Sequence, residues 1–428
     1  MEQQIRSPQS LKGEIAPPPD KSVSHRSLII NSLAEGVARV SNFLTSADCL
    51  ATLSCLKSLG VSIERNGSEV IITGRGIRGF QQPDGLLDAR NSGTTMRLMT
   101  GLLASQPFTC TITGDESLRS RPMGRVIEPL NLMGAKIESC GNRAPLTITG
   151  GSLHGIHYKL TVASAQVKSA ILLAALTAEG QTVIEQPAPS RDHTERMLQA
   201  MGASVRIDDL NITLIGGGSP LKPLDMKIPG DISSAAFWMV AGVVHPHARI
   251  RLTNVGINPT RTGILEVLQS MNASIIIESQ RLEGNEPVAD LLIQSSKLRG
   301  IEIGGEVIPR LIDEIPAIAV AASQAEGTTV IRDAAELRVK ESDRIHTTAT
   351  ELSRMGARID EREDGMIIQG GTKLHGNRCN SHGDHRLAMT LAVAGLIAEG
   401  ETVVDNSEAV EISYPEFWSE IKAFSGKS

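Results

Sequence analysis

Apolar and polar positions along the chain follow a pattern that recurs six times: a short polar cluster directly precedes a strongly apolar segment. The clusters are Asp20-Lys21-Ser22-Val23-Ser24-His25-Arg26, Asn91-Ser92-Gly93-Thr94-Thr95-Met96-Arg97, Ser164-Ala165-Gln166-Val167-Lys168-Ser169, Asp231-Ile232-Ser233-Ser234, Asp313-Glu314 and Asp384-His385-Arg386. The segments behind them read SLIINSLAEG, LMTGLLASQ, AILLAALTAEG, AAFWMVAGVV, IPAIAVAASQAEG and LAMTLAVAGLIAEG. They are apolar on nearly every helical face, which predicts buried helices. A turn follows, four times Ala-Glu-Gly, and then a β-branched strand: ARVSNF, CTITG, QTVIEQ, ARIRLTNV, TTVIRDA or ETVVDN. Next comes a second helix. Five times it ends at Gly60, Gly134, Gly202, Asn272 or Gly356, where a left-handed C-cap residue is expected. These second helices carry charge, as in HTERMLQAMGA and IHTTATELSRMGA, and belong on the outside. Two strands close the unit, such as KIES with LTITG or RIDE with GMIIQG.

Each unit is about 65–80 residues long, more than a solenoid repeat. The sixth stops at Phe424-Ser425-Gly426, and its missing strands are expected from the N-terminal segment near GEIAPP. Three buried helices wrapped by sheets make one domain. The expected α/β architecture therefore has two domains of three βαβαββ-type repeats: residues 20–226, and residues 1–19 with 227–428. The chain would cross at APPPDK and KIPGD. The site is expected in the cleft between the domains.

Charge turns this pattern into chemistry. Helix N-termini present unpaired N–H groups and a positive dipole end, so they attract anions. Six of them bearing Lys, Arg, Ser, Asn and Asp suggest a site for phosphates and carboxylates. Arg121, Arg191, Arg261 and Arg344 each stand before a second helix. A cation there opposes the helix dipole at about 0.3–1 kcal/mol, so four in register imply nearby carboxylates or bound anions.

Composition narrows the classes. Net charge is −6 with no basic block, which gives no support for nucleic-acid binding. Aromatics are 2% of residues, so the core must be Leu, Ile, Val, Ala and Met. No apolar run approaches the ~18 residues of a membrane span, and the N-terminus lacks a signal pattern. Five cysteines without CxxC or Cys/His spacing point to a reduced, cytoplasmic protein without structural zinc.

Taken singly, the residues leave alternatives open. Lys21, Ser22 and Arg26 suit either a solvated loop with a Ser cap or a phosphate. Asn91-Ser92-Gly93-Thr94 is either a turn with a Thr cap or an anion loop. Arg121 precedes Pro122, a good first helical residue, and could pair with Asp115 or Glu116. Asp313-Glu314 is either an N-cap with first-turn acid or a source of general base. Lys340, Glu341, Asp343 and Arg344 could be a solvated charged face. Gln166 and Lys168 could simply cap a helix, and His385 could sit in a satisfied network.

Ten segments in order, DKSVSHR, RNSGTTMR, LRSRPMGR, SAQVKSA, RDHTE, NPTRTG, LIDEIP, LRVKESDR, GDHRLAM and YPEF, resemble the enolpyruvyl transferases, and specifically the branch acting on shikimate 3-phosphate. Each segment alone is weak; ten in family order are specific. The resemblance implies a two-domain inverse α/β barrel and transfer of the enolpyruvyl group of phosphoenolpyruvate to the 5-hydroxyl of shikimate 3-phosphate, with loss of phosphate. It implies a monomer with no metal, no organic cofactor, and domain closure around both substrates. It also implies that Lys21, Ser22, Arg26, Ser164, Ala165, Gln166, Arg191, Asp313 and Lys340 hold shikimate 3-phosphate. Lys21, Asn91, Gly93, Arg121, Gln166, Arg344 and Arg386 would hold phosphoenolpyruvate. Asp313 would be the proton acceptor, and Glu341 or Lys21 the carbon acid.

Two departures stand out: Pro19 replaces the family's Gly, and EAVEISYPEF lacks the Lys some members carry there. The related branch acting on UDP-N-acetylglucosamine uses a loop Cys, but residues 114–121 contain none. A six-repeat DNA clamp would need basic residues along its inner helices, and these are apolar.

Overall fold

All six apolar segments form helices: Lys21–Ser32, Gly93–Ala104, Ala165–Ala175, Ile232–Val244, Ile315–Gln324 and His385–Gly395, each buried along nearly its whole length. The computed structural model describes residues 1–217 and 220–425; Gly426 of the expected chain end lies outside them. The polar clusters start these helices by capping, satisfying first-turn N–H groups. Asp20 accepts from the Val23 N–H at 2.8 Å, Ser92 from Thr95 at 3.1 Å, Asp231 from Ser233 at 2.9 Å and Asp384 from Arg386 at 2.9 Å. The caps are thus Asp20 and Ser92, not Ser22 and Thr94. Glu314 stands at the N-cap position of the fifth helix without a side-chain cap bond, and Asp313 precedes it in a 3-10 turn that runs into that helix, which has Pro316 in its first turn. Pro122 also departs from expectation, because its helix begins later, at Gly124.

The second helices are amphipathic rather than wholly outside. Arg344–Arg354, for instance, buries Ile345, Thr348 and Leu352 on one face. Their ends follow the C-cap expectation. Gly60, Gly134, Gly202, Asn272 and Gly356 have φ of +83°, +107°, +93°, +72° and +101°, in the region that glycine and asparagine tolerate.

Among the described residues there are six sheets: five of four strands share one plan, and the sixth has three strands. In the first, Glu35–Ser41 has Met226–Lys227 parallel on one side and Glu69–Arg75 antiparallel on the other, with Ser62–Asn66 beyond. The parallel partners are short, such as Leu87–Asp88 and Glu302–Ile303. The sixth sheet is closed by Glu2–Arg6, antiparallel to Glu401–Asp405. The GEIAPP segment behaves otherwise: Leu11–Ile15 lies parallel to Ala248–Leu252 of the fourth sheet. Leu11 and Ile15 are its buried positions, and Gly13 lets the Phe424 ring approach to 2.9 Å of where a Cβ would stand.

The chain divides into two compact units, one of Pro19–Pro229 with Leu282–Glu286, the other of Met1–Pro18, Gly230–Arg281 and Pro287–Ser428. Residues 282–286 group with the first because Glu286 meets His193, 2.8 Å between Oε1 and Nδ1, with both buried. Each unit has its own hydrophobic core built on its three inner helices. The few aromatics concentrate in the second unit, where Phe237, Trp238, Tyr414, Phe417, Trp418 and Phe424 stack around the C-terminal helix Phe417–Ser425. Among the described residues no helix is long and apolar enough to cross a membrane.

Candidate functional site

In the Pro19–Pro229 unit, the second and third inner helices touch backbone to backbone. A Cβ on Gly101 would lie 2.2 Å from the Ala170 carbonyl oxygen, so only glycine permits this approach. Their N-terminal side chains then meet. Gln166 Nε2 donates to Thr94 Oγ1 at 3.0 Å, and Arg97 Nη1 donates to Gln166 Oε1 at 2.9 Å. Arg121 Nη2 donates to Asn91 Oδ1 at 2.6 Å and to Ser117 Oγ at 3.3 Å; it pairs with neither Asp115 nor Glu116. A Cβ on Gly93 would lie 2.6 Å from Arg97 Nη1 and 3.4 Å from Arg121 Nη1. Two guanidinium groups therefore converge on the first turn of a helix, whose N–H groups and dipole also favour an anion. Burial, reinforced by Arg121 and Arg125, pushes the Arg97 guanidinium down to about 10, so a bound anion here would relieve a real electrostatic cost.

The first cluster is engaged differently. Lys21 is partly exposed, with Nζ 3.2 Å from Asp48 Oδ2. Arg26 is buried and bound to protein: Nη1 donates to the Ser22 carbonyl at 3.0 Å, Nε to Thr194 Oγ1 at 2.8 Å and Nη2 to Ser169 Oγ at 2.9 Å. Burial pushes its guanidinium down to about 10, against the pull of Glu195. His25 is wholly buried, and burial drives its imidazole to about 3 despite Asp48. Its Nδ1 sits 2.7 Å from Thr52 Oγ1, which sits 2.7 Å from Thr95 Oγ1. Ser164 caps the third helix with a long 3.4 Å bond from Val167, and Ala165 is its first residue. Arg191 lies half-buried in the turn before helix His193–Ala200.

In the unit that begins at Gly230, the helix N-termini are laced by arginines. Arg344 is 1% exposed and faces three carboxylates. Its Nε donates to Asp384 Oδ2 at 2.7 Å, Nη1 to Asp313 Oδ1 at 3.2 Å and Nη2 to Glu341 Oε2 at 2.5 Å. Burial opposes the Arg344 charge, but these partners outweigh it and hold the guanidinium above its usual range. Arg386 lies 3.8 Å from Asp313 Oδ2 and 3.8 Å from Glu314 Oε1. Glu314 is buried, which raises its carboxyl pKa despite Arg386. Burial also pushes Glu341 up, but Arg344, with Arg386 behind it, outweighs this and holds it below the usual carboxylate range. Arg261 is buried and donates to Ser233 Oγ at 2.5 Å and to Asp231 Oδ1 at 3.3 Å. The fourth cluster thus serves an internal arginine.

The structure brings Asp313, Glu341, Arg344 and Arg386 into one network, and Asn91, Gly93, Arg121 and Gln166 into another. Lys340 stands apart, with Nζ 2.9 Å from Glu336 Oε1. Arg97, Glu314 and Asp384 belong to the polar clusters, but the sequence assigned no ligand to them. Arg97 and Asp384 sit inside segments quoted for the resemblance, but their partners are 69 and 40 residues away, beyond any local signal. Lys168 is no cap; it is the fourth residue of its helix and fully buried.

Comparisons with known proteins show what the chain is similar to. The family model described as EPSP synthase (3-phosphoshikimate 1-carboxyvinyltransferase) matches residues 5–421. A 3-phosphoshikimate 1-carboxyvinyltransferase of Herpetosiphon aurantiacus is 53% identical over 422 residues, 98% of each chain. One of Bacillus cereus (strain G9842) is 53% identical over 414 residues, 96% of each. A solved EPSP synthase from Acinetobacter baumannii superposes with a TM-score of 0.92 at 45% identity, covering 99% of this chain and 98% of that one.

Proposed function

Because the chain belongs to the EPSP synthase (3-phosphoshikimate 1-carboxyvinyltransferase) family, we propose that it transfers the carboxyvinyl group of phosphoenolpyruvate to the 5-hydroxyl of shikimate 3-phosphate, releasing phosphate. The observation that carries this reading is the density of anion-seeking groups at inner-helix N-termini: Arg97 and Arg121 over Gly93, and Arg344 and Arg386 beside Asp313. The six sheets and six inner helices support six βαβαββ repeats, three per unit, in the inverse α/β barrel arrangement. The enzyme acts as a cytoplasmic monomer without metal or organic cofactor.

Shikimate 3-phosphate takes Lys21, Ser22, Ser164, Ala165, Gln166, Arg191, Asp313 and Lys340, with Arg26 holding the Ser22 carbonyl in place. Phosphoenolpyruvate takes Lys21, Asn91, Gly93, Arg121, Gln166, Arg344 and Arg386. Asp313 accepts the proton of the 5-hydroxyl as its oxygen attacks C2 of phosphoenolpyruvate, while C3 gains a proton. The resulting tetrahedral ketal loses a C3 proton and phosphate, restoring the vinyl group. The arginines stabilise charge on the departing phosphate.

The Glu341 geometry bears on the carbon acid. Arg344 holds the Glu341 carboxyl below its usual range, so Glu341 serves as the carbon acid only after the anionic substrate has drawn Arg344 away and the carboxylate has taken up a proton from solvent. Lys21 is the second candidate for this proton transfer; its Nζ is paired with Asp48. The test is phosphate release by the purified protein. Release is expected only with shikimate 3-phosphate and phosphoenolpyruvate together. Equal release from phosphoenolpyruvate alone, or none with both, would refute the assignment.

A further inference from the structure

Lys168 is a buried cation that the proposed chemistry does not use. Its side chain and that of Glu195 are each 1% exposed, and Nζ lies 2.6 Å from Glu195 Oε1. Nζ also donates to the Ser190 carbonyl oxygen and to Gln186 Oε1, both at 3.2 Å. Ser190 Oγ donates to the same Gln186 oxygen at 2.6 Å. Three groups thus close around one ammonium, and all three belong to the segment Gln186–Glu195 that presents Arg191.

A solvent-facing lysine would need none of these contacts. Burying an ammonium is costly unless every donor finds an acceptor and its charge is matched. The neighbouring residue repeats the connection: Ser169 Oγ pairs with Thr194 Oγ1 at 2.7 Å and receives Arg26 Nη2 at 2.9 Å. Consecutive residues of one helix therefore fasten the Gln186–Glu195 segment, and Ser164, Ala165 and Gln166 stand one turn earlier on that helix.

We propose that Lys168 is a positioning residue for shikimate 3-phosphate, clamping the turn that carries Arg191 to the helix that carries Ser164 and Gln166. This rests on the functional reading above. The ammonium touches no substrate. It fixes the spacing of phosphate-binding groups that come from segments 22 or more residues apart, and misplacement by about 1 Å costs binding and rate steeply.

The test is the double variant Lys168→Met/Glu195→Gln, which removes both members of the ion pair together, so that neither is left buried without the other. With circular dichroism and melting temperature close to the parent, KM for shikimate 3-phosphate should rise about tenfold, and KM for phosphoenolpyruvate at saturating shikimate 3-phosphate should stay put. An unchanged KM for shikimate 3-phosphate overturns the proposal, as does a parallel rise in both KM values, which marks general loosening. Should the double variant fail to fold, Gln186→Met removes one acceptor, keeps the ion pair and is judged by the same split. Calorimetric titration with shikimate 3-phosphate accompanies the kinetics. A parent that binds shikimate 3-phosphate without turnover refutes the reaction but still tests Lys168 by its weakened binding. A parent that binds none refutes both.

Discussion

At Arg344 one buried guanidinium meets Asp313, Glu341 and Asp384. Three carboxylates on one cation leave surplus negative charge, which suits a site where a carboxylate must accept a proton. Of the three, Asp313 is the one that Arg386 also approaches, at 3.8 Å, and it is the proton acceptor proposed above. Asp313→Ala should lower kcat by about 10²–10⁴-fold with KM for both substrates nearly unchanged. Steady-state phosphate release measures this, and near-parental kcat would reduce Asp313 to an ion-pair partner. Gly93 offers a second residue-scale test. In Gly93→Ala the new methyl would stand 2.6 Å from Arg97 Nη1, so that guanidinium must shift. KM for phosphoenolpyruvate should rise about tenfold while KM for shikimate 3-phosphate changes less than about twofold. Equal changes in both would mean the methyl disturbs the whole helix start. Gly93 and Arg97 both stand in the polar cluster, but the partner of Arg97 was not legible, because its meeting with Gln166 joins two helices.

Among the elements, the C-terminal helix Phe417–Ser425 carries an unusual carboxyl. Burial pushes Glu420 up to about 7, and its Oε2 accepts from Tyr414 Oη at 2.5 Å. Tyr414 Oη in turn accepts from Trp238 Nε1 at 3.0 Å, while Glu416 adds negative charge nearby. The folded pKa lies above the unfolded value, so the folded state binds more protons between the two. Stability is then full below about pH 4.5 and is lost as pH rises through about 7. Glu420→Gln should be more stable than the parent by about 1–3 kcal/mol at pH 8 and equal to it at pH 5. Urea unfolding followed by Trp238 and Trp418 fluorescence measures this, and an identical difference at both pH values would refute it. Elements in general were legible where the code was local. Inner helices, C-caps and the longer strands follow from periodicity, glycine and β-branching. The two-residue parallel strands carry no period and escaped notice.

For the whole molecule, two units with separate cores allow ligand effects to be read unit by unit. Arg26, Ser169 and Thr194 tie the first and third repeats of the Pro19–Pro229 unit together. Shikimate 3-phosphate alone should therefore slow amide exchange in helices Lys21–Ser32 and Ala165–Ala175 by about tenfold or more. Helices Ile232–Val244 and Phe417–Ser425 should change little. Hydrogen-exchange mass spectrometry reads this directly, and uniform protection of all four would contradict the assignment of these groups to shikimate 3-phosphate.

By itself the sequence determined the six-fold repeat, the burial of the inner helices, their polar starts and the anionic character of the ligands. These are written in short windows, where hydrophobic period, caps and charge act on neighbours in the chain. Only the tertiary structure decided which arginine meets which carboxylate, why Lys168 is buried, and that Glu2–Arg6 rather than Leu11–Ile15 closes the sixth sheet. Those choices join residues tens to hundreds of positions apart. Burial then decides them, because a desolvated charge or strand edge is stable only where its partner is already in place.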